Sequence, residues 1–125
     1  PPTHADVVII GGGIIGTCTA LQLAQRGVSV ALCEKGDIAG EQSSRNWGWV
    51  RKQGRDPREL PLVIEALRQW QGMNEVVEAE TGFRTTGIMY GIETDADMAR
   101  HEDWLNHARL YQLDSRIIGK DELAG

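Results

Sequence analysis

Six residues near the start of the chain, Gly11-Gly12-Gly13-Ile14-Ile15-Gly16, make a complete G-x-G-x-x-G. Their chemistry is that of phosphate binding. Gly11 permits a tight turn out of a strand, and Gly13 has no Cβ, so a pyrophosphate can reach the backbone. Gly16 lets the following helix pack closely on the strands. The anion would rest on free N–H groups at the positive end of that helix, those of Ile14 and Ile15 among them. Glu34 stands 23 residues after Gly11, where a carboxylate can accept from both hydroxyls of an adenosine ribose. A 2′-phosphate would be repelled there, which disfavours NADP. The motif does not by itself choose between FAD and NAD.

The elements that must position these residues are legible around them. Val7–Ile10 is a continuous apolar run rich in β-branched residues, as in a strand covered on both faces. After the glycines, Ile14, Cys18, Leu21 and Ala24 recur at helical spacing, and Gly27 offers a stop. Val28–Cys33 is a second apolar run that ends at Glu34. The reading is therefore β–α–β with parallel strands and a right-handed crossover. A motif in this setting is specific, whereas the glycines alone are a weak signal. Without that setting they would merely make a turn, and Glu34 would be a solvated strand end.

Residues 35–55 have no clear period and include Gly36, Gly40, Gly48 and Gly54. So long a loop in a compact domain is functional or disordered, and two tryptophans argue against disorder. Asp56, Pro57 and Glu59 then read as a helix start, with Glu59 bonding back to the cap. A stripe from Leu60 to Val77 extends that helix to about Glu80, where Thr81–Gly82 ends it. Residues 83–92 read as a strand, 94–113 as a second helix opened by Thr94 and Asp97, and 117–118 as a short strand. Asp121–Leu123 begins a further element.

The stretch Ser43-Ser44-Arg45-Asn46-Trp47-Gly48-Trp49-Val50 sets two indoles around a glycine behind a polar run. Together with VVIIGGGIIG, the CEK at 33–35 and the spacing from Gly40 to Gly48, it resembles the FAD-dependent D-amino acid oxidase-like oxidoreductases. These include glycine and sarcosine oxidases and D-amino acid dehydrogenases. One extra residue separates Gly40 from the serines here. The resemblance covers the first half of the chain well and continues, more loosely, through DPREL into the next helix.

The resemblance implies FAD as cofactor and a flavin cradle in the loop. Ser43 and Ser44 would offer hydroxyl and N–H groups to the diphosphate and ribityl chain, and Arg45 would neutralise phosphate charge. Asn46 would bond flavin or backbone. Lys35 would join the cofactor-binding set beside Glu34. Trp47 to Trp49 would lie along the isoalloxazine, with Gly48 allowing close approach. Fixed peptide dipoles there would stabilise the charge that reduction builds on the ring. The plain alternative is that both indoles plug the seam between loop and sheet.

The implied reaction is oxidation of a C–N bond in an amino acid or secondary amine by hydride transfer to flavin N5. Oxygen or a quinone would reoxidise the flavin. Two other readings stay open: a glycerol-3-phosphate dehydrogenase-like or NAD-linked flavoprotein, and a noncatalytic nucleotide-binding module. Arg51 is a substrate-side candidate, able to fork a carboxylate, although solvated surface charge explains Arg51 and Lys52 equally well. His101 and His107, six apart on one helix, fall on different faces, so no shared metal site is expected. Cys18 and Cys33 read as core thiols, and Trp70 and Trp104 as helix-core residues.

Bulk properties bound the rest. The chain has 125 residues, 41% hydrophobic and 25% charged, with net charge −5. That balance disfavours nucleic acid as a partner, and no apolar run approaches the roughly 20 residues of a membrane span. No basic leader precedes the first strand, so no secretory signal is expected. KDEL at 120–123 is followed by Ala124 and Gly125 and is no retention signal. A cytoplasmic location is expected, at most peripheral to the inner membrane. The expected fold class is α/β: residues 1–82 as the first part of a Rossmann-like FAD domain, and 83–125 as the start of an α+β substrate domain. The architecture would be incomplete, an N-terminal piece of a larger enzyme. It would need the remainder of the polypeptide, or self-association, to cover its sheet edges and apolar faces.

Overall fold

The computed structural model describes residues 3–124. The chain divides into two units, Pro1–Trp49 and Val50–Gly125.

The first unit is a parallel β–α–β. Strand β1 (Val7–Ile10) lies beside β2 (Val30–Cys33), with Val7 opposite Val30 and Ile10 opposite Cys33. Helix α1 (Ile14–Gln25) connects them. The start of the ladder is fastened by Asp6 and Ser29. The Asp6 N–H donates to the Ser29 hydroxyl (2.9 Å), and the Asp6 carboxylate accepts from the Ser29 N–H (3.0 Å). The Ser29 N–H, and after it the Ser29 hydroxyl, hold the Asp6 carboxyl below its usual range. At the far end of α1, Gly27 takes a positive φ of 77°. The Gly27 N–H then reaches the Ala24 carbonyl, and the Val28 N–H reaches that of Leu23. The stop expected at Gly27 is therefore present as a paired C-terminal cap.

Gly16 explains how closely α1 meets the sheet. A Cβ at Gly16 would lie 1.9 Å from the Gly11 carbonyl oxygen and 3.3 Å from Ile9 Cγ2. Helix α1 thus covers the Ile9 side of β1. The alternate residues Val8 and Ile10 are exposed, Ile10 by 90%. The sequence expectation of a strand covered on both faces is met on one face only within the described residues.

In the second unit Pro57–Glu59 forms a single 3-10 turn and Leu60–Gln71 forms α2. Asp56 caps the turn as expected: its carboxylate accepts from the Arg58 N–H at 2.9 Å. The expected return bond from Glu59 is not made; Glu59 pairs with Arg55 instead, at 3.6 Å. The helix expected to run to Glu80 breaks at Gly72, and a short α3 (Met73–Val77) follows. A glycine inside a helix costs about 1 kcal/mol relative to alanine, and here the chain turns at that position. Glu78 ends α3 in the left-handed region, three residues before the expected stop.

Residues 83–92 and 117–118, read from sequence as strands, pair with nothing among the described residues and are irregular. A strand is a pairing, and apolar patterning alone does not supply the partner. Helix α4 (Asp95–Leu110) has the expected capping box. Thr94 N–H donates to Asp97, and Asp97 N–H returns a bond to the Thr94 hydroxyl, each at 3.1 Å. Helix α5 (Lys120–Leu123) closes the described chain. The core of this unit is small: Leu60, Trp104 and Ala108 are buried, with Ile64 and Leu113 packed against them. Trp70 is half-buried and stacks on Phe83 at 5.8 Å.

Candidate functional site

The strand-to-helix turn of the first unit leaves backbone amides open. Gly13 occupies the N-cap of α1, with no side-chain cap of its own and no acidic residue in the first turn. One amide there, that of Ile14, donates to the Ser43 hydroxyl at 2.8 Å. The N–H groups of Gly13, Ile15 and Gly16 have no protein acceptor among the described residues. Open amides at a helix start, with the positive end of the dipole behind them, form an anion seat. A Cβ on Gly13 would come within 3.0 Å of Ser43 Oγ, so the bare backbone at this position is what keeps the seat open.

Glu34, the first residue after β2, turns back onto the glycine turn. Its Oε2 accepts from the Gly12 N–H at 2.7 Å and its Oε1 from the Gly36 N–H at 2.9 Å. The Gly12 amide, then that of Gly36, hold the carboxyl below its usual range, so it is ionised at neutral pH. Each oxygen keeps a lone pair. The side chain is thus a fixed acceptor at the edge of the anion seat, suited to a vicinal diol. These donors and acceptors fit the adenosine diphosphate half of FAD: open amides for the diphosphate, a carboxylate for the ribose.

The loop after β2 is tied to the same turn by a chain of hydrogen bonds. Ser43, in the 3-10 turn Gln42–Ser44, meets the Ile14 N–H. The Asn46 side-chain amide donates to the Ser43 carbonyl, and its oxygen accepts from the Gly48 N–H at 2.6 Å. Gly48 itself has φ 71° and open space where a Cβ would stand. Trp47 and Trp49 meet edge to face, 5.5 Å between centroids and 76° between planes. Both are exposed, by 83% and 57%. Glycine turn, Ser43, Asn46 and the tryptophan-flanked glycine are therefore one connected piece.

Other candidates face elsewhere. Arg45 pairs with the Glu41 carboxylate, Lys35 approaches the same carboxylate at 3.7 Å, and the Ser44 hydroxyl donates to the Glu41 carbonyl at 3.0 Å. Glu41, which the sequence reading passed over, gathers these three groups. Its position four residues before an arginine in a polar run was the available signal. Gly12 was also passed over. It is buried, its carbonyl accepts from the Ala39 N–H at 3.0 Å, and a Cβ there would strike Ile38 Cδ1 at 2.5 Å. A side chain at the variable position between the first two motif glycines would enter only if the Ile38 and Glu34 side chains gave way.

In the second unit Arg51 lines a cavity, with its guanidinium donating to the Gln53 carbonyl. His101 and His107, expected on different helix faces, line that same cavity. Among the described residues no group of three or more potential metal ligands gathers. Of the two cysteines, Cys18 is half-buried, whereas Cys33, expected in the core, is exposed. No helix among the described residues is long and apolar enough to cross a membrane.

Comparison with known proteins gives the family. A family model described as FAD dependent oxidoreductase matches residues 6–125. The L-amino acid deaminase of Proteus myxofaciens superposes with a TM-score of 0.90 at 39% identity, over 99% of this chain and 29% of that one. Glycine oxidase of Geobacillus kaustophilus is 37% identical over 98% of the chain and 38% of its own length. The mitochondrial glycerol-3-phosphate dehydrogenase of Saccharomyces cerevisiae is 47% identical over 77 residues, 54% of this chain and 12% of its own. The chain thus spans well under half the length of these relatives. Its parallel β–α–β unit, the glycine turn at its head and the match over nearly the whole sequence place this chain in the FAD-dependent oxidoreductase family.

Proposed function

We propose that the protein to which this chain contributes oxidises the C–N bond of an amino acid or secondary amine. When bound, FAD supplies the hydride acceptor, at flavin N5. The chain's own residues hold and orient. The amides of Gly13, Ile15 and Gly16 seat the diphosphate, Glu34 takes the adenosine ribose, and Ser43 and Ser44 serve the phosphate and ribityl portion. Arg45 swings from Glu41 to offset phosphate charge, and Lys35 adds a cation beside Glu34. The Trp47–Trp49 segment walls the isoalloxazine and excludes water. Gly48, lacking a side chain, would let the main chain come close to the ring, and Asn46, which takes the Gly48 N–H on its side-chain oxygen, would hold the turn in shape. Holding substrate and acceptor in register carries most of the rate in such a transfer. Residues 1–82 belong to the cofactor domain in this reading and 83–125 open the substrate domain. Arg51 is the substrate-side candidate.

The observation that carries the cofactor assignment is the unbroken hydrogen-bonded path from Ile14 through Ser43 and Asn46 to Gly48. For the substrate, the extent of the matches supports an amine. Glycine oxidase and the deaminases align over 97% of the chain or more, whereas the yeast glycerol-3-phosphate dehydrogenase aligns over 54%. The higher identity of that shorter match favours glycerol 3-phosphate as a second reading. Anaerobic addition of D-, L- and N-methyl amino acids to the full-length holoprotein, with glycerol 3-phosphate alongside, decides between them. Bleaching of the flavin band by an amine is the expected result. Bleaching by glycerol 3-phosphate alone would overturn it, and no bleaching by any compound would point to a noncatalytic module.

A further inference from the structure

The backbone of Gly12 is gripped from two sides by residues that follow β2. Its N–H donates to Glu34 Oε2 at 2.7 Å, and its carbonyl accepts from the Ala39 N–H at 3.0 Å. The second bond acts beyond Gly12 itself. The Gly12 carbonyl and the Gly13 N–H belong to one planar, trans peptide unit, in which C=O and N–H point in opposite directions. Pinning the carbonyl on Ala39 therefore aims the Gly13 N–H away from that contact. That N–H is one of the amides with no protein acceptor among the described residues. Gly12 thus links the carboxylate suited to a ribose with an amide suited to a diphosphate.

Ala39 makes its bond from a turn, Asp37 to Gly40, closed by the Gly40 N–H on the Asp37 carbonyl at 3.0 Å. There it takes φ 59°, a left-handed conformation that suits glycine or asparagine in such a turn and is strained in alanine. Strain of this kind persists where surrounding contacts hold it. The neighbouring Ile38 supplies one. A Cβ on Gly12 would fall 2.5 Å from Ile38 Cδ1, and 3.1 and 3.2 Å from Cβ and Cγ of Glu34. The space over the buried Gly12 is thus shared by the end of Ile38 and the stem of Glu34.

We propose that Ile38 and Ala39 are positioning residues for nucleotide recognition. The turn they form presets the Glu34 carboxylate and the Gly13 amide for a nucleoside diphosphate whose ribose carries both hydroxyls. Ala39 acts through the Gly12 carbonyl. Ile38 acts by filling the space over Gly12 into which the Glu34 stem would otherwise slacken. The proposal rests on the reading of Glu34 as the ribose acceptor and adds what holds that acceptor in place.

The test is competition of ADP and 2′-deoxy-ADP against FAD on the full-length protein, prepared free of flavin. The parent should prefer ADP by about tenfold, the worth of a hydrogen bond to a charged group. In Ile38→Ala that preference should shrink to about threefold or less, with ADP weakened and 2′-deoxy-ADP little changed, and Ile38→Leu should restore it. Ile38 is 57% exposed, so its truncation leaves the fold standing. Ala39→Pro can neither take the left-handed φ nor donate an N–H. It should shrink the preference too and, by releasing the Gly13 amide, weaken both nucleotides. A preference that stays intact in either Ile38→Ala or Ala39→Pro, even with both affinities lowered, would overturn the proposal and leave Glu34 in its role. A parent that does not distinguish the two nucleotides would remove the Glu34 reading, and the proposal with it.

Discussion

Gly13 and Gly16 lie three residues apart and fail differently when given a methyl group. At Gly16 the new Cβ would meet a backbone carbonyl at 1.9 Å, and neither helix nor strand can retreat without losing the turn. Gly16→Ala should cost about 3 kcal/mol or more, read as a lowered denaturant midpoint. At Gly13 the obstacle is the Ser43 hydroxyl at 3.0 Å, the end of a movable side chain. Gly13→Ala should keep the fold and lose FAD affinity, checked by flavin retention on a desalting column. Glu34 adds a pH dependence. Its folded pKa is depressed below the ordinary 4.5 by the Gly12 and Gly36 amides. Its contribution is therefore complete above pH 4.5 and is lost as pH falls through the folded value. FAD release on acidification should follow that direction. The motif glycines and Glu34 could be picked out because glycine spacing and an acid closing the second strand are features of the sequence itself, whereas Ser43 came only with the family resemblance and meets Ile14 from 29 residues away. The pairing of Lys35 and Arg45 with Glu41 was not legible. Charge type shows in a sequence, but which of several nearby partners a flexible side chain takes does not.

Among the elements, β1 was readable to the residue, since a β-branched run bounded by Asp6 and Gly11 admits few alternatives. Helix α4 was readable from its capping box, and Thr94→Ala should cost about 1 kcal/mol, measurable as a fall in helical signal and melting temperature. Segment 74–84 was misread because its organisation is made by side chains. The Glu80 carboxylate accepts from the Arg84 guanidinium, the Gly82 N–H and the Asn74 amide, while Asn74 also receives Thr81. Arg84 first, then the Gly82 and Asn74 donors, lower the Glu80 pKa from 4.5 to about 2. A depressed carboxylate stabilises above its unfolded pKa, so the clasp should open as pH falls from 4.5 toward 2. Hydrogen exchange at the Gly82 amide, faster in Glu80→Gln than in the parent at neutral pH, would report the same loss. Exchange unchanged in that variant would remove Glu80 from the account. The cavity beside α4 lay beyond sequence reading for another reason. Its walls come from positions as far apart as 51 and 107, and no spacing rule links them.

Across the whole molecule, exposure is the dominant feature. The chain presents 9951 Å² to solvent, where a folded monomer of its mass presents about 6,600 Å². Buried hydrophobic residues are confined to Leu60, Trp104 and Ala108 among the described residues, while Val8, Ile10, Ile15, Trp47 and Leu62 are open. At about 25 cal/mol per Å² of apolar area, so much uncovered surface is a strong drive toward further packing. We infer that the open Val8 and Ile10 face of the sheet is covered by later parts of a longer polypeptide, as its much longer relatives allow. Expressed alone, the chain should aggregate or expose dye-binding apolar surface, and a sharp, reversible melt of a monomer would contradict this. The central claim is that the glycine turn and Glu34 recognise the adenosine diphosphate half of FAD. The direct measurement is a fluorescence titration of the flavin-free full-length protein with FAD and with FMN, in the parent and in Glu34→Gln. The expected result is binding of FAD far tighter than FMN, which lacks that half, with the variant losing about tenfold for FAD and little for FMN. Equal affinity for the two flavins, or an unchanged FAD affinity in Glu34→Gln, would contradict the account.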